Sequence, residues 1–160
     1  MKKIISVFLL TVFFMIALVP SVSANCAEEQ LINTSSHIEY YEDGSYTVTT
    51  VKQISPITRS NVYTAEKLVH LYNSKDELQW TYTLIGTFLV DYGVSVECTD
   101  STYSYIIYND SWSLTAHSNS YYDNIAVGTA TFKKKVLFIT TNTHDIEAEV
   151  GCDIYGNLLS

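Results

Sequence analysis

The chain has 160 residues with nine basic and seventeen acidic side chains, which gives a formal charge of −8 at pH 7. This charge repels a polyanion and no basic stripe offsets it, so nucleic acid is excluded as an expected partner. The length suits one domain of about 100 to 150 residues and leaves no room for a second. Thirteen tyrosines and many threonines, with only two methionines, favour strands over helices.

The N-terminus has the three parts of a secretory signal peptide, which we assign to residues 1–24. Two lysines precede an apolar stretch over residues 4–19, and a small-x-small cleavage site ends at Ala24. We therefore expect cleavage between Ala24 and Asn25 and export to the extracellular space. The apolar stretch is shorter than the roughly 20 residues that span a bilayer and Pro20 follows it, so no stable membrane anchor is expected. Cleavage changes the formal charge to −10, because it removes two lysines and no acid.

Residues 25–36 are polar and acidic without sustained periodicity, and we interpret them as a flexible leader that contains Cys26. A strand signal starts at His37, and the predicted β-sandwich domain covers residues 37–160. The dipeptide Asp43-Gly44 between two β-rich runs predicts a hairpin, because both central residues of a type I′ turn need positive φ.

The stretch from Leu78 to Val90 has the clearest strand pattern of the chain. Large apolar side chains alternate in it with threonine and glutamine, and this period of two predicts a half-buried strand. Gly86 interrupts the apolar row and predicts a bulge or a bend. Before this stretch, residues 62–72 combine helical spacing with β-branched and aromatic side chains, and we predict a strand there.

Shorter alternating runs follow over residues 94–98, 103–107 and 112–116, and residues 125–140 form one long strand or two. The last run, residues 145–154, alternates apolar side chains with acids. A turn at residues 140–143 would place the three lysines at 133–135 opposite Glu147 and Glu149, where cross-strand ion pairs would form. The alternative is that these lysines form a patch for a partner or an anionic surface.

These strands predict a single all-β domain, an antiparallel β-sandwich of about seven to nine strands. The order of Cys98, Trp112 and Cys152 is similar to that of immunoglobulin domains, in which a tryptophan packs against the disulfide between the sheets. We therefore expect an immunoglobulin-like architecture. The likeness is partial, because such domains carry a tyrosine two residues before the second cysteine and this chain has Val150 there.

Three cysteines follow the predicted cleavage site, and in a secreted chain the expectation is one disulfide and one free thiol. Cys98 and Cys152 share the strand phase of their apolar neighbours, so both side chains are expected to point into the core. We predict a bridge between them, which leaves Cys26 unpaired. A bridge from Cys26 to either partner is the alternative and requires an ordered leader.

The sequence shows no recognisable catalytic motif, since it lacks a Gly-x-Ser-x-Gly elbow, a His-Glu-x-x-His pair and a phosphate-binding glycine loop. The four histidines are His37, His70, His117 and His144. None has a second imidazole at ligand spacing. The segment His144–Glu149 comes closest to a metal site, but one strand face puts its carboxylates in a row and not in a closed shell. We therefore expect no catalytic residue, no metal and no cofactor.

Tyr121 and Tyr122 form an aromatic pair in a predicted polar turn, where strand propensity does not explain them. Tyrosine surfaces make adaptable contacts and stack on sugar rings. These two are the candidate contact residues of a secreted, non-enzymatic binding module whose partner is an extracellular protein or glycan. The alternatives are a secreted hydrolase without a recognisable motif, with His144, Asp145 or Glu147 as its test residues, and a membrane-active β-protein.

A further likeness lies in strand and turn residues spread over most of the mature chain. They are Glu39 to Tyr46, Gln79-Trp80, Gly86 to Phe88, Cys98, Ser111 to Ser113, Ala130-Thr131 and Cys152-Asp153. In these residues the chain resembles an uncharacterised family of small secreted β-rich proteins from Gram-positive gut bacteria. The resemblance implies bacterial export, and it implies no particular activity.

Overall fold

The computed structural model describes residues 30–55 and 61–159, and within them the chain forms nine β-strands. They are β1 (Gln30–Tyr40), β2 (Tyr46–Ser55), β3 (Val62–Tyr72), β4 (Leu78–Asp91), β5 (Ser95–Ile107), β6 (Trp112–Tyr122), β7 (Ile125–Val136), β8 (Ile139–Cys152) and β9 (Leu158–Leu159). None of the described residues belongs to a helix long and apolar enough to cross a membrane. The predicted signal peptide with its cleavage site at Ala24 and Asn25 lies outside the described residues, and so does Cys26.

The strands form two antiparallel sheets, and the predicted all-β sandwich is confirmed. Sheet A has the order β1-β2-β3-β4-β5 and sheet B the order β6-β7-β8-β9. Neighbours in each sheet are therefore consecutive in the chain, whereas immunoglobulin domains use Greek-key connections. The likeness to those domains is one of architecture and not of strand order.

Strand β1 begins at Gln30 and not at His37, which corrects the prediction of a flexible leader for residues 30–36. β1 pairs with β2 alone, so it is an edge strand of sheet A. Its side chains from Ser35 to Tyr40 are exposed. An edge strand of this kind needs no apolar alternation, which is why its polar sequence did not mark it as a strand. Residues 25–29 of the predicted leader lie outside the described part of the chain.

The apolar row of β4 forms the centre of the core, as its alternation predicted. Its fully buried side chains are Trp80, Tyr82, Leu84 and Phe88. The row faces sheet B, where the Trp80 ring stacks on the Phe132 ring with 4.2 Å between their centroids. The prediction of a strand over residues 62–72 is also confirmed, because β3 pairs with β4 along that whole stretch.

Gly86 allows the two sheets to approach each other beside a bulge. A Cβ atom at this position would lie 2.8 Å from the Phe88 ring and 2.9 Å from the Cβ of Ala126 in the opposite sheet. The predicted irregularity lies next to it, since the pairing of β4 with β5 shifts between Thr87 and Phe88. The extra residue is Thr99 on β5. The missing side chain thus makes room for the Phe88 ring in the core.

The hairpin between β7 and β8 turns at Leu137 and Phe138 and not at the predicted residues 140–143. Both turn residues have positive φ, 48° and 71°, as in a type I′ turn. The lysines at 133–135 therefore lie opposite threonine and asparagine side chains of β8, and the predicted lysine–glutamate pairs are wrong. The sequence did not mark this turn because leucine and phenylalanine are not turn residues.

Because consecutive strands run up and down, the turns collect at two opposite ends of the sandwich. One end, which we call the tyrosine end, contains the turns at residues 91–94, 123–124 and 153–157. The other, which we call the hairpin end, contains the turns at residues 41–45, 73–77, 108–111 and 137–138. Trp80 and Trp112 lie toward the hairpin end, whereas Cys98 and Cys152 lie toward the tyrosine end. The expected packing of a tryptophan on the cysteines is therefore wrong.

Gly86→Ala is expected to lower the free energy of unfolding by about 1 to 3 kcal/mol, because the added methyl group overpacks the core. Urea unfolding followed by tryptophan fluorescence measures this change, since Trp80 and Trp112 are both buried. Thr102→Ala, on the exposed side of β5, is the control and should change stability by less than about 0.5 kcal/mol. Equal stability of Gly86→Ala and the wild type would contradict the close packing.

Candidate functional site

The two predicted contact residues lie at the tyrosine end. Tyr121 and Tyr122 complete β6 and are 51% and 50% exposed. The chain then reverses through Asp123 and Asn124, and Asp123 has a positive φ of 47°. Both rings are therefore accessible to a partner beside a tight turn.

The structure brings two further tyrosines to the same end. Tyr92 of the β4–β5 turn and Tyr155 of the β8–β9 turn are 71% and 53% exposed. Their rings meet edge to face with 5.5 Å between centroids, and the Gly93 N–H donates to the Ile154 carbonyl at 2.8 Å. Sequence reasoning missed both rings, although each carries the signal that marked Tyr121, an aromatic residue in a turn. Their proximity depends on strand order, which the sequence did not show.

Backbone hydrogen bonds hold the β6–β7 turn in place at this end. The Cys98 N–H donates to the Asp123 carbonyl at 2.7 Å, and the Cys152 N–H donates to the Asn124 carbonyl at 3.2 Å. The Asn124 side chain donates in turn from Nδ2 to the Cys152 carbonyl at 2.7 Å. The tyrosines are thus attached to core strands, which reduces the ordering cost when a partner binds.

An open depression of about 760 Å³ lies beside Tyr121 and Tyr122. Glu97 and Asp123 contribute carboxylates to its wall, and Asn124 contributes an amide. Aromatic rings beside hydrogen-bonding groups suit the recognition of sugars and polar peptides.

The β8–β9 turn, which carries Tyr155, is organised around Asp153. One carboxylate oxygen accepts the N–H groups of Tyr155 and Asn157, both at 2.8 Å, and the other accepts the Asn157 amide at 2.9 Å. These hydrogen bonds lower the pKa of the Asp153 carboxyl group, and the bond from the Asn157 side chain has the largest effect. The turn therefore keeps its shape, and a negative charge, at neutral pH.

Cys98 and Cys152 are buried in the core, as their strand phase predicted, but they are free thiols. The Sγ of Cys98 donates to the Asp100 carbonyl at 3.4 Å, and the Sγ of Cys152 donates to the Asp153 carbonyl at 3.6 Å. The predicted Cys98–Cys152 bridge is therefore not formed in the structure. Strand phase places both thiols in the core, but it does not set the separation and orientation that a disulfide needs.

Both buried thiols should be protected from reagents in the native protein. Burial raises the pKa of Cys152 to about 11 and also raises the pKa of Cys98. Because the thiolate is the reactive form, we expect a Cys26→Ser variant to react with Ellman's reagent at least about tenfold more slowly when folded than in guanidinium. Both thiols should react in guanidinium without a reductant. A need for reductant would contradict free thiols.

His144 lies in a ring-lined site near the hairpin end. Its side chain is buried, and its ring meets the Tyr41 ring edge to face at 4.6 Å and the Trp112 ring at 5.5 Å. Burial lowers the pKa of His144, while nearby carboxylates, Asp43 foremost, oppose this shift. The sequence analysis named His144 in the segment closest to a metal site and as a test residue for a hydrolase, but it did not predict its burial, because burial follows from tertiary packing.

The acids near His144 form neither a metal site nor a catalytic triad. Within residues 30–55 and 61–159, no three histidine, cysteine, aspartate or glutamate side chains are grouped to hold a metal ion. A Ser-His-Asp triad places the imidazole between the other two groups. Here the Ser45 hydroxyl donates directly to the Asp43 carboxylate. Asp145, one of the test residues for a hydrolase, accepts the Thr131 hydroxyl at 2.7 Å.

His144→Phe is expected to reduce the loss of stability at acid pH. The unfolded chain takes up this proton near pH 6.5, about the ordinary value, whereas the folded pKa is lower. Stability is thus complete above about pH 6.5 and is lost as pH falls through the folded pKa. Phenylalanine keeps a ring in the site but does not titrate.

Thermal unfolding of both proteins across mildly acid pH tests this expectation. His70, whose pKa burial also lowers, is present in both, so the variant should lose part of the acid dependence and not all of it. Identical acid dependence in the two proteins would contradict a buried, neutral His144.

A second depression, of about 390 Å³, lies between β8 and the β1–β3 side of sheet A. Lys67 and Glu147 are among its lining residues, so it carries charges of both signs. It is lined by one tyrosine, Tyr41, whereas the depression at the tyrosine end is lined by two, Tyr121 and Tyr122. The tyrosine end is therefore the stronger candidate.

Comparison of the chain with family models, with curated proteins and with solved structures finds no match. The sandwich architecture alone does not indicate an activity, because folds of this kind carry many unrelated functions. The functional argument therefore depends on the sites themselves.

Proposed function

We propose that this chain is an exported, non-enzymatic binding module that contacts an extracellular protein or glycan through its tyrosine end. The observation that supports the proposal is the presence of four exposed tyrosines at one end of the sandwich, two at the end of β6 and one in each of two turns. They are Tyr92, Tyr121, Tyr122 and Tyr155. Export follows from the predicted signal peptide.

These four tyrosine rings expose apolar area to solvent at positions where folding does not require a large apolar side chain. Tyrosine supplies a large and stiff contact surface at a low cost in side-chain entropy. Glu97, Asp123 and Asn124 add polar groups beside Tyr121 and Tyr122, and such groups set orientation and specificity. The carboxylates also disfavour a strongly acidic partner.

The double variant Tyr121→Ala/Tyr122→Ala is expected to weaken binding about tenfold to hundredfold, because aromatic anchors carry most of the energy of such interfaces. A printed glycan array and an immobilised glycoprotein are suitable probes. Periodate treatment of the glycoprotein separates the two partner classes, since it destroys sugars and leaves the polypeptide. Loss of binding after periodate assigns a glycan, and unchanged binding assigns a protein.

Tyr108→Ala is the matched control, because Tyr108 is 54% exposed but lies at the hairpin end. Its binding should equal that of the wild type. Wild-type binding by the double variant, or an equal loss in Tyr108→Ala, would contradict the assignment of the tyrosine end.

A further inference from the structure

The β7–β8 hairpin ends in four consecutive apolar residues that stand in solvent. We call Val136, Leu137, Phe138 and Ile139 the apolar tip. Leu137 is 86% exposed and Phe138 is 99% exposed, the two highest values among the large exposed hydrophobic side chains of the described chain. Burying them would release apolar surface from water, but while they stay exposed they contribute no burial free energy to folding.

The backbone of the apolar tip makes these residue types still less expected. Leu137 and Phe138 both have positive φ, which bulky side chains rarely adopt. Asparagine and glycine are the residues that suit both central positions of a type I′ turn. Local structure therefore favours Asn-Gly here on two grounds, strain and exposure. Strain at an exposed turn often accompanies function.

Three lysines directly precede the apolar tip, and we call Lys133, Lys134 and Lys135 the lysine collar. The ion pair found within the described residues joins Lys52 to Glu66 and involves none of the three. Lys134 instead places its Nζ 5.9 Å from the centroid of the Trp112 ring. The collar thus carries positive charge that no carboxylate of the described chain pairs with.

The apolar tip also extends beyond Asp43, one of the acids of its own end. The Asp43 carboxylate accepts the Asn142 amide at 3.1 Å, and Asn142 lies opposite Lys134. Ile139 is three residues further toward the tip, which corresponds to about 10 Å along a strand. This distance is close to the Debye length of about 8 Å at physiological ionic strength. The negative charge of Asp43 is therefore partly screened from whatever meets the tip.

We propose that the apolar tip and the lysine collar together form a docking element for an anionic lipid bilayer. Leu137 and Phe138 enter the boundary between headgroups and acyl chains, and the lysine ammonium groups contact lipid phosphates. Two weak signals of this kind, one apolar and one electrostatic, give reversible attachment where either alone is marginal. Such docking agrees with the expectation that the chain has no stable membrane anchor.

Other occupants fit this surface less well. A second copy that met the tip symmetrically would place two lysine collars against each other, and like charges repel. The chain segments next to Gln30 and Leu159 lie at the tyrosine end, about 40 Å away along β8. Residues 25–29, which precede β1 in the predicted mature chain, span at most about 18 Å and do not reach the tip.

Cosedimentation with vesicles tests the proposal on the mature chain. Binding is expected to vesicles of phosphatidylcholine and phosphatidylglycerol in equal parts, to be much weaker with phosphatidylcholine alone, and to fall as salt is added. Leu137→Asn/Phe138→Gly should weaken binding at least about thirtyfold by removing the apolar area. The same variant should unfold at an equal or higher temperature, because Asn-Gly relieves the turn. Lys133→Gln and Lys135→Gln should each weaken binding about fivefold.

Val94→Asn is the matched control, since Val94 is 72% exposed in a turn at the opposite end and should not affect vesicle binding. Tyr121→Ala/Tyr122→Ala should also leave vesicle binding unchanged, which separates this proposal from the binding function of the tyrosine end. Absence of binding to anionic vesicles would overturn the proposal. Equal binding by Leu137→Asn/Phe138→Gly would overturn it as well, and so would self-association that this variant abolishes without any vesicle binding.

Discussion

The stacking of Trp80 on Phe132, with 4.2 Å between ring centroids, joins β4 of sheet A to β7 of sheet B, and the rest of the sandwich depends on this contact. Each ring belongs to a strand whose apolar side needs cover. Burial of the apolar surface on these strands holds the two sheets face to face. Gly86 belongs to the same arrangement, because the space beside it accommodates Phe88 and Ala126.

The consecutive strand order has a direct consequence for function. Consecutive strands pair as hairpins, so successive turns lie at opposite ends of the molecule. Four exposed tyrosines, Tyr92, Tyr121, Tyr122 and Tyr155, lie at one end, and the lysine collar with the apolar tip lies at the other. A single small domain therefore carries two separate surfaces, and a protein docked on a membrane through one would present the other outward. The two proposals can consequently be tested independently.

The cysteines and the lysines show which structural features strand phase predicts and which it does not. Phase correctly placed Cys98 and Cys152 in the core, but the geometry of a bridge depends on the spacing of two sheets, which is a tertiary property. The predicted cross-strand partners of the lysines depended on the position of one turn. Because Leu137 and Phe138 occupy positions that usually hold asparagine and glycine, the turn was expected further along the chain, and every cross-strand partner of the lysines changed with it.

The sequence by itself determined the all-β class, most of the strands and the inward side of β4, β7 and β8, because a period of two is a local property of the chain. In β2 the inward row is Thr47, Val51 and Gln53, and apolar alternation did not indicate it. It also indicated Tyr121 and Tyr122, since an aromatic pair beside a turn is visible without a structure. Only the tertiary structure decided that Tyr92 and Tyr155 join them and that His144 is buried among aromatic rings. It also decided that β1 starts at Gln30, because an edge strand pairs through its backbone and leaves little trace in its side chains.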